Sequence, residues 1–229
     1  MAGAIPAVGD GAILNDGDAD VVLQDGLITI VRRADISGTI TYRQASRAVP
    51  GADVTATDLT DGTQHPSATG ADGSYVLASL PPGEYLVSAV RSTVEEGAVD
   101  PLDVSDILRS LVGSLSLSAD ERLVADVSGN GRVGTTDASL ILRYIVGLVS
   151  DFPAGPFWLF EPEEGTINLL GNCTQNFTAF LRGDVNGDWE AGSPPLKPVA
   201  VTGPRLWLDA AAAHGAAATG VTRALMLLR

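Results

Sequence analysis

Residues 126–137 read Asp-Val-Ser-Gly-Asn-Gly-Arg-Val-Gly-Thr-Thr-Asp, so side-chain oxygens fall at positions 1, 3, 5 and 12, with Gly131 at position 6. Oxygen ligands at this spacing suit a hard divalent cation of calcium's size. Such an ion takes six or more oxygens and obliges the chain to coil around it, and a glycine at position 6 permits the sharp turn. Asp, Ser, Asn and Gly are also the residues of an ordinary polar turn. Two features go beyond a turn: the apolar Val133 at position 8, and an aspartate, Asp137, at the start of a helical pattern. A second ligand run, Asp184-Val-Asn186-Gly-Asp188-Trp189, stands near the far end of the chain with no helix after it.

The helix that must follow the first loop is one of two related copies. Gly97–Gly113 laid over Gly131–Gly147 agrees at nine of seventeen positions with a constant offset of 34, which marks an internal repeat. In each copy an aspartate, Asp103 or Asp137, opens a helix. An apolar stripe follows, Ile107, Leu108 and Leu111 against Ile141, Leu142 and Ile145, and a glycine closes it. Between the copies, Ser118-Ala-Asp-Glu121 is a capping box for a short helix ending near Ala125. The first copy has its helix but no loop, because Ser92, Val94 and Glu96 occupy positions 1, 3 and 5. The Asp184 run has ligands but no helix. If the chain returns, Asp184, Asn186 and Asp188 would complete a split second site with Asp103. The competing reading is a turn leading onward, with Trp189 where a glycine would sit.

Upstream of these helices the pattern is of period two. Residues 1–34 carry two alternating runs around Asp25-Gly26, a hairpin signal, and read as the tail of an upstream β domain or a linker. Short strands are expected over 36–42, 53–57, 74–78 and 84–90, separated by Pro50-Gly51, Asp61-Gly62, Asp72-Gly73 and Pro81-Pro-Gly83, as in a small antiparallel sandwich. The wording Ser37-Gly-Thr-Ile-Thr-Tyr, Val49-Pro-Gly-Ala-Asp-Val, Thr69-Gly-Ala-Asp-Gly-Ser-Tyr and Leu80-Pro-Pro-Gly-Glu-Tyr-Leu-Val resembles the carboxypeptidase regulatory-like family of transthyretin-type β-sandwiches. The resemblance covers residues 35–92 and implies a spacer or accessory module without catalytic residues. Tyr75 and Tyr85, beside turns on alternating strands, are expected in its core.

One ligand loop and one helix, duplicated about a short helix, resembles a dockerin, and residues 126–147 carry that resemblance. It implies ligation by side-chain oxygens of Asp126, Ser128 and Asn130, the Arg132 carbonyl, a water-mediated contact at Gly134 and the closing carboxylate of Asp137. It further implies a cohesin-type protein partner, met by Thr135, Thr136, Arg143 and Tyr144 in one copy and by residues including Arg109 in the other. The fold class expected is multi-domain α+β: a small antiparallel β-sandwich, then a small all-α dockerin-like, EF-hand-like loop–helix domain at residues 93–190. Within it, residues 151–182 are expected as a β excursion packing on the helices. Residues 191–229 read as a linker and a truncated next segment.

Composition bounds the function classes. With 28 acidic and 14 basic side chains and a net charge of -14, the chain offers no basic stripe for phosphates, so nucleic acid is excluded as a partner. The single cysteine, Cys173, allows no internal disulfide. His65 and His214 are too far apart in sequence, and too plainly in turn and tail, to supply a zinc site or a histidine triad. The carboxylate pairs Glu95-Glu96 and Glu163-Glu164 read as solvated loop residues rather than a glycosidase pair. No apolar run is long enough to span a bilayer. No signal peptide is evident at Met1, and the chain is expected to be a piece of a longer extracellular or cell-surface protein. The expectation is a monomeric, non-catalytic, calcium-dependent binding module, with links to polysaccharide degradation implied by the dockerin resemblance. The alternatives are a calcium-rigidified stalk or adhesin without a cohesin partner, and the accessory region of a secreted hydrolase.

Overall fold

The computed structural model describes residues 19–24, 27–43, 47–93 and 97–192, with side chains from residue 32 onward. Two alternating runs pair antiparallel as β1 (Ala19–Gln24) and β2 (Leu27–Arg32). The expected Asp25-Gly26 turn, residues 1–18, Val94 to Glu96 and nearly all of 191–229 lie outside the described residues. Among the described residues the fold is mostly β-sandwich-like, with two main sheets and three helices.

The sandwich is built on β3 (Ala34–Tyr42), whose alternation buries Ile36, Ile40 and Tyr42 completely. It is followed by β4 (Arg47–Ala48), β5 (Asp53–Asp58), β6 (Gln64–Ala68), β7 (Ser74–Leu80) and β8 (Gly83–Val90). β7 lies antiparallel to β3, while β6, β5 and β8 form the antiparallel second sheet. The expected strands are all present; β4 and β6 were not legible, since one is two residues long and the other contains Pro66, a residue confined to sheet edges. Tyr75 and Tyr85 are buried, their hydroxyls donating to Gln175 O at 2.6 Å and Pro81 O at 2.9 Å, as expected of core tyrosines.

Three helices follow. α1 (Pro101–Leu111) starts with Pro101 after Asp100, whose side chain accepts from Leu102 N at 2.6 Å. α2 (Ala119–Ala125) opens on the Ser118–Glu121 capping box, and α3 (Thr135–Ile145) on Gly134. α1 and α3 end alike: Gly113 at φ +75° and Gly147 at φ +71°, with Ser114 N donating to Arg109 O and Leu148 N to Arg143 O. These are Schellman closures, and the left-handed glycine is what allows them. The apolar stripes divide: Ile107 and Ile141 are fully buried, whereas Leu108 and Leu142 are each 45% exposed.

The largest departure from expectation lies in residues 151–182. Rather than packing on the helices as an excursion, this stretch supplies strands to both sheets of the sandwich. β9 (Trp158–Glu161) lies antiparallel to β12 (Phe177–Leu181), and β12 runs parallel to the end of β3. β10 (Glu164–Leu169) extends the second sheet along β8, and β11 (Cys173–Thr174) pairs parallel to the start of β3. Asn172 Oδ1 accepts from Asp35 N at 2.9 Å and Asn176 Oδ1 from Thr39 N at 3.0 Å, so side chains complete what the short strands leave open. The helices therefore do not stand apart as an all-α domain. One apolar cluster runs from Ile36 and Ile40 through Phe177 and Trp189 to Ile107 and Ile141, and the described residues fall within one compact unit.

The return is tightest at Gly38, where an added Cβ would lie 1.8 Å from the Gln175 carbonyl oxygen. Gly38→Ala must push the returning backbone off β3, and we expect a loss of about 3 kcal/mol, the upper end of overpacking costs. Urea unfolding followed by tryptophan fluorescence and by far-ultraviolet circular dichroism should shift by the same amount. Separate transitions from the two probes would mean that sandwich and helices fold independently.

Candidate metal centre

The N-termini of α1 and α3 each carry a fully buried aspartate at the third position, Asp103 and Asp137. Asp137 closes the first loop as the spacing predicts: Oδ1 accepts from Ser128 N at 2.9 Å and Oδ2 from Gly134 N at 2.8 Å. At the other end of the loop, Asp126 Oδ1 accepts from Asn130 N at 3.1 Å and Oδ2 from Gly131 N at 2.7 Å. Ser128 Oγ donates to Asp126 Oδ1 at 3.2 Å, and Asn130 Oδ1 accepts from Arg132 N at 2.8 Å. Gly129 and Gly131 both take left-handed φ, +72° and +79°, which draws the chain into a coil. The loop borders a cleft of about 610 Å³ lined in part by Asp126, Arg132 and Arg182.

The Asp184 run does return to α1. Asp103 Oδ1 accepts from Asn186 N at 3.0 Å and Val185 N at 2.6 Å, and Oδ2 from Asp100 N at 2.8 Å. Asp184 Oδ1 accepts from Asp188 N at 3.2 Å and Gly187 N at 2.7 Å, and Oδ2 from Trp189 N at 3.1 Å. With Asp184 as position 1 and Asp103 as position 12, four of these bonds repeat the first loop donor for donor: position 5 and position 6 amides to the first carboxylate, position 3 and position 9 amides to the last. Gly187, at position 4, takes φ +74°, matching Gly129. The frame of one loop is thus assembled twice, once from contiguous chain and once from segments some eighty residues apart.

Trp189 replaces the position-6 glycine without breaking this frame. The split loop does not continue past position 6, so no left-handed turn is required there, and the indole is buried 4.8 Å from the Tyr42 ring and 5.1 Å from Trp158. Arg91 lies over Trp158 at 4.5 Å.

Electrostatics distinguishes the second site. Burial pushes the Asp103 carboxyl up to about 8, with the Asp184 charge adding to the effect and the amide bonds opposing it. Asp188 is raised as well, by burial first and then by Asp184. Carboxylates crowded out of water repel one another, and a cation among them would relieve that repulsion. The oxygen-only donor set, on a frame that leaves each carboxylate oxygen further lone pairs, fits calcium rather than a transition metal. Among the described residues no three His, Cys, Asp or Glu side chains form a group that could hold a metal by themselves, so amide, hydroxyl and carbonyl oxygens would have to complete either shell.

Of the expected partner-binding residues, Thr135, Thr136, Arg143 and Arg109 are exposed. Arg109 is paired with Asp106 at 3.0 Å. Tyr144 is placed differently: its ring packs between Phe152 and Phe157, at 5.1 and 5.2 Å, so it serves that aromatic cluster before any partner. Residues at the site with no short-range signal are Tyr42, Arg43 and Arg47, brought from the sandwich. Asp100 and Gly187 could have been found from the repeat, as positions 9 and 4.

Comparison with known proteins agrees on the sandwich. The carboxypeptidase regulatory-like domain matches residues 35–109, which carries it through the strands and into α1. No curated protein matches the chain. Among solved structures, the backbone protein of the group B streptococcus pilus 2b is similar over 31% of this chain and 31% of its own, at 19% identity and a TM-score of 0.24. Residues 35–109 are thus a carboxypeptidase regulatory-like β-sandwich domain.

Proposed function

We propose that this chain is a non-catalytic, calcium-dependent protein-binding module of a larger extracellular or cell-surface protein. Two calcium loops, Asp126–Asp137 and the split loop of Asp184, Asn186, Asp188 and Asp103, order two similar helices whose outer faces meet a partner. The observation that carries the reading is the donor-for-donor repetition of one loop frame around two pairs of carboxylates, three of the four fully buried. A polar turn has no need to bury aspartates at helix N-termini and satisfy them twice in the same way.

The helices leave matching apolar positions outward. Leu108 and Leu142 are equally exposed, and Val112 and Val146 are 79% and 65% exposed. With Arg109 and Arg143 beside them, these suit a partner surface that is apolar at its centre and acidic at its edge. A cohesin-type domain is the partner proposed, following the dockerin-like loop–helix repeat. A second reading is favoured by the shared core of sandwich and helices: a stalk stiffened by calcium, with no such partner.

Calorimetric titration of the whole chain with calcium should resolve two ions. Asp126→Ala should remove one, while Asp103→Ala and Asp184→Ala should each remove the same other one; independent losses from those two would sink the split loop. Chelation should lower thermal stability in proportion to the ion bound, about 2.7 kcal/mol at a hundredfold excess over Kd.

For the partner face, Leu108→Asp and Leu142→Asp alter exposed side chains and should leave the fold intact. On whichever helix the partner uses, the substitution should weaken capture of a cohesin-type domain at least tenfold in surface plasmon resonance. A calcium-loaded chain that captures none would leave the stalk reading.

A further inference from the structure

The two loops share a frame but differ in what stands behind the first carboxylate. In the split loop, Tyr42 Oη donates to Asp184 Oδ2 at 2.5 Å from the last residue of β3. Arg43, the next residue, donates to the Asp184 carbonyl and, at 3.2 Å, to the Val185 carbonyl. Arg47 donates to the Trp189 carbonyl. Arg43 holds φ +45°, a conformation that costs a side-chain-bearing residue energy, and its guanidinium lies where a Cβ on Gly187 would come within 2.6 Å. Among the described residues, no sandwich residue hydrogen-bonds Asp126 in the first loop, whose frame is closed by its own residues.

A split loop has a problem that a contiguous one lacks, because two distant segments must be brought together before an ion sees all its ligands. The end of β3 and the start of β4 answer it by gripping the returning segment at both ends, Tyr42 at Asp184 and Arg47 at Trp189. We propose that Tyr42 is a positioning residue of the second calcium loop, and that ion binding there and the docking of residues 184–189 on the sandwich are one equilibrium. This rests on the calcium reading above. The ion then acts as a clasp joining sandwich, returning segment and α1, while the Asp126 loop binds its ion without the sandwich.

The test is a calcium titration of the full chain and of Tyr42→Phe, repeated with terbium, whose emission on indole excitation reports the loop that contains Trp189. Tyr42→Phe should weaken the second ion about tenfold or more, the scale of one hydrogen bond to a charged group, and leave the first unchanged. Asp126→Ala should give the reverse pattern. Two ions bound by Tyr42→Phe with unaltered affinities would overturn the proposal and leave the calcium reading standing; no ion on the unaltered chain would overturn both. Should Tyr42→Phe fail to fold, hydrogen exchange on Asp126→Ala decides. Calcium must slow exchange of the Arg43 amide, which donates to Ala179 O at 2.9 Å. Protection confined to residues 100–103 and 184–189 would overturn the proposal.

Discussion

Three carboxylates, Asp103, Asp137 and Asp184, have no exposure to water, and the rest of the structure around them follows from the need to satisfy them. A buried carboxylate without partners costs several kcal/mol, so native proteins pair it, hydrogen-bond it or place it on a metal. Here the direct partners are almost all backbone amides, drawn from helix N-termini and from tight glycine-bearing loops. Amides turned inward on one point are what a coiled loop provides. They leave lone pairs on the opposite side of each oxygen, which is where a hard cation would sit. The helix dipole adds to this, since Asp103 and Asp137 stand in the first turn, where negative charge is favoured.

The same constraint explains why the chain threads back through the sandwich. α1 begins with a closing carboxylate but has no loop preceding it that could supply positions 1, 3 and 5. The missing half arrives after three helices and four strands, and those strands must be anchored if the half-loop is to stay in register. Pairing β10 to β8 and β12 to β3 does this, and it brings Tyr42, Arg43 and Arg47 against the returning segment. The sandwich thus serves the second loop as a scaffold, and its aromatic neighbours, Tyr42, Trp158 and Trp189, seal the floor beneath it. A polar frame so enclosed has a low local dielectric, which strengthens whatever ion–carboxylate attraction it hosts.

Several features are legible in the sequence because their causes are local. The Ser118–Glu121 box, the closing glycines at 113 and 147, the turn dipeptides and the strands between them each depend on a few neighbouring residues. The repeat placed Asp103 and Asp137 at equivalent positions, and the complementary defects pointed to the pairing of Asp103 with Asp184, which the fold brings together through Val185 and Asn186 amides. What failed was the destination of residues 151–182. Their strands are short, with edge-like alternation in β10, and their partners in the sandwich lie far off in sequence, from Glu164 opposite Ser88 to Phe177 opposite Ile40, so no pattern within them distinguishes packing on helices from joining a sheet. Tyr42 was invisible for the same reason: in the sequence it is the buried end of an alternating strand, and only the fold gives its hydroxyl a carboxylate.

The interleaving also bears on how binding at the helices would be felt elsewhere. α1 and α3 pack on each other and share one core with the sandwich, through Ile107 and Ile141 on one side and Trp158 and Trp189 on the other. A close-packed interior transmits displacement instead of absorbing it. Anything that loosens the split loop therefore tilts the N-terminus of α1, and with it the exposed Leu108 and Val112, while the contiguous loop holds α3 and its Leu142 and Val146 without reference to β3. Two faces that look alike by repeat are in this way supported unequally, one by its own loop and one by the whole fold. The face on α1 is the one whose geometry depends on the sandwich, through the hydrogen bonds of Tyr42, Arg43 and Arg47 to the returning segment.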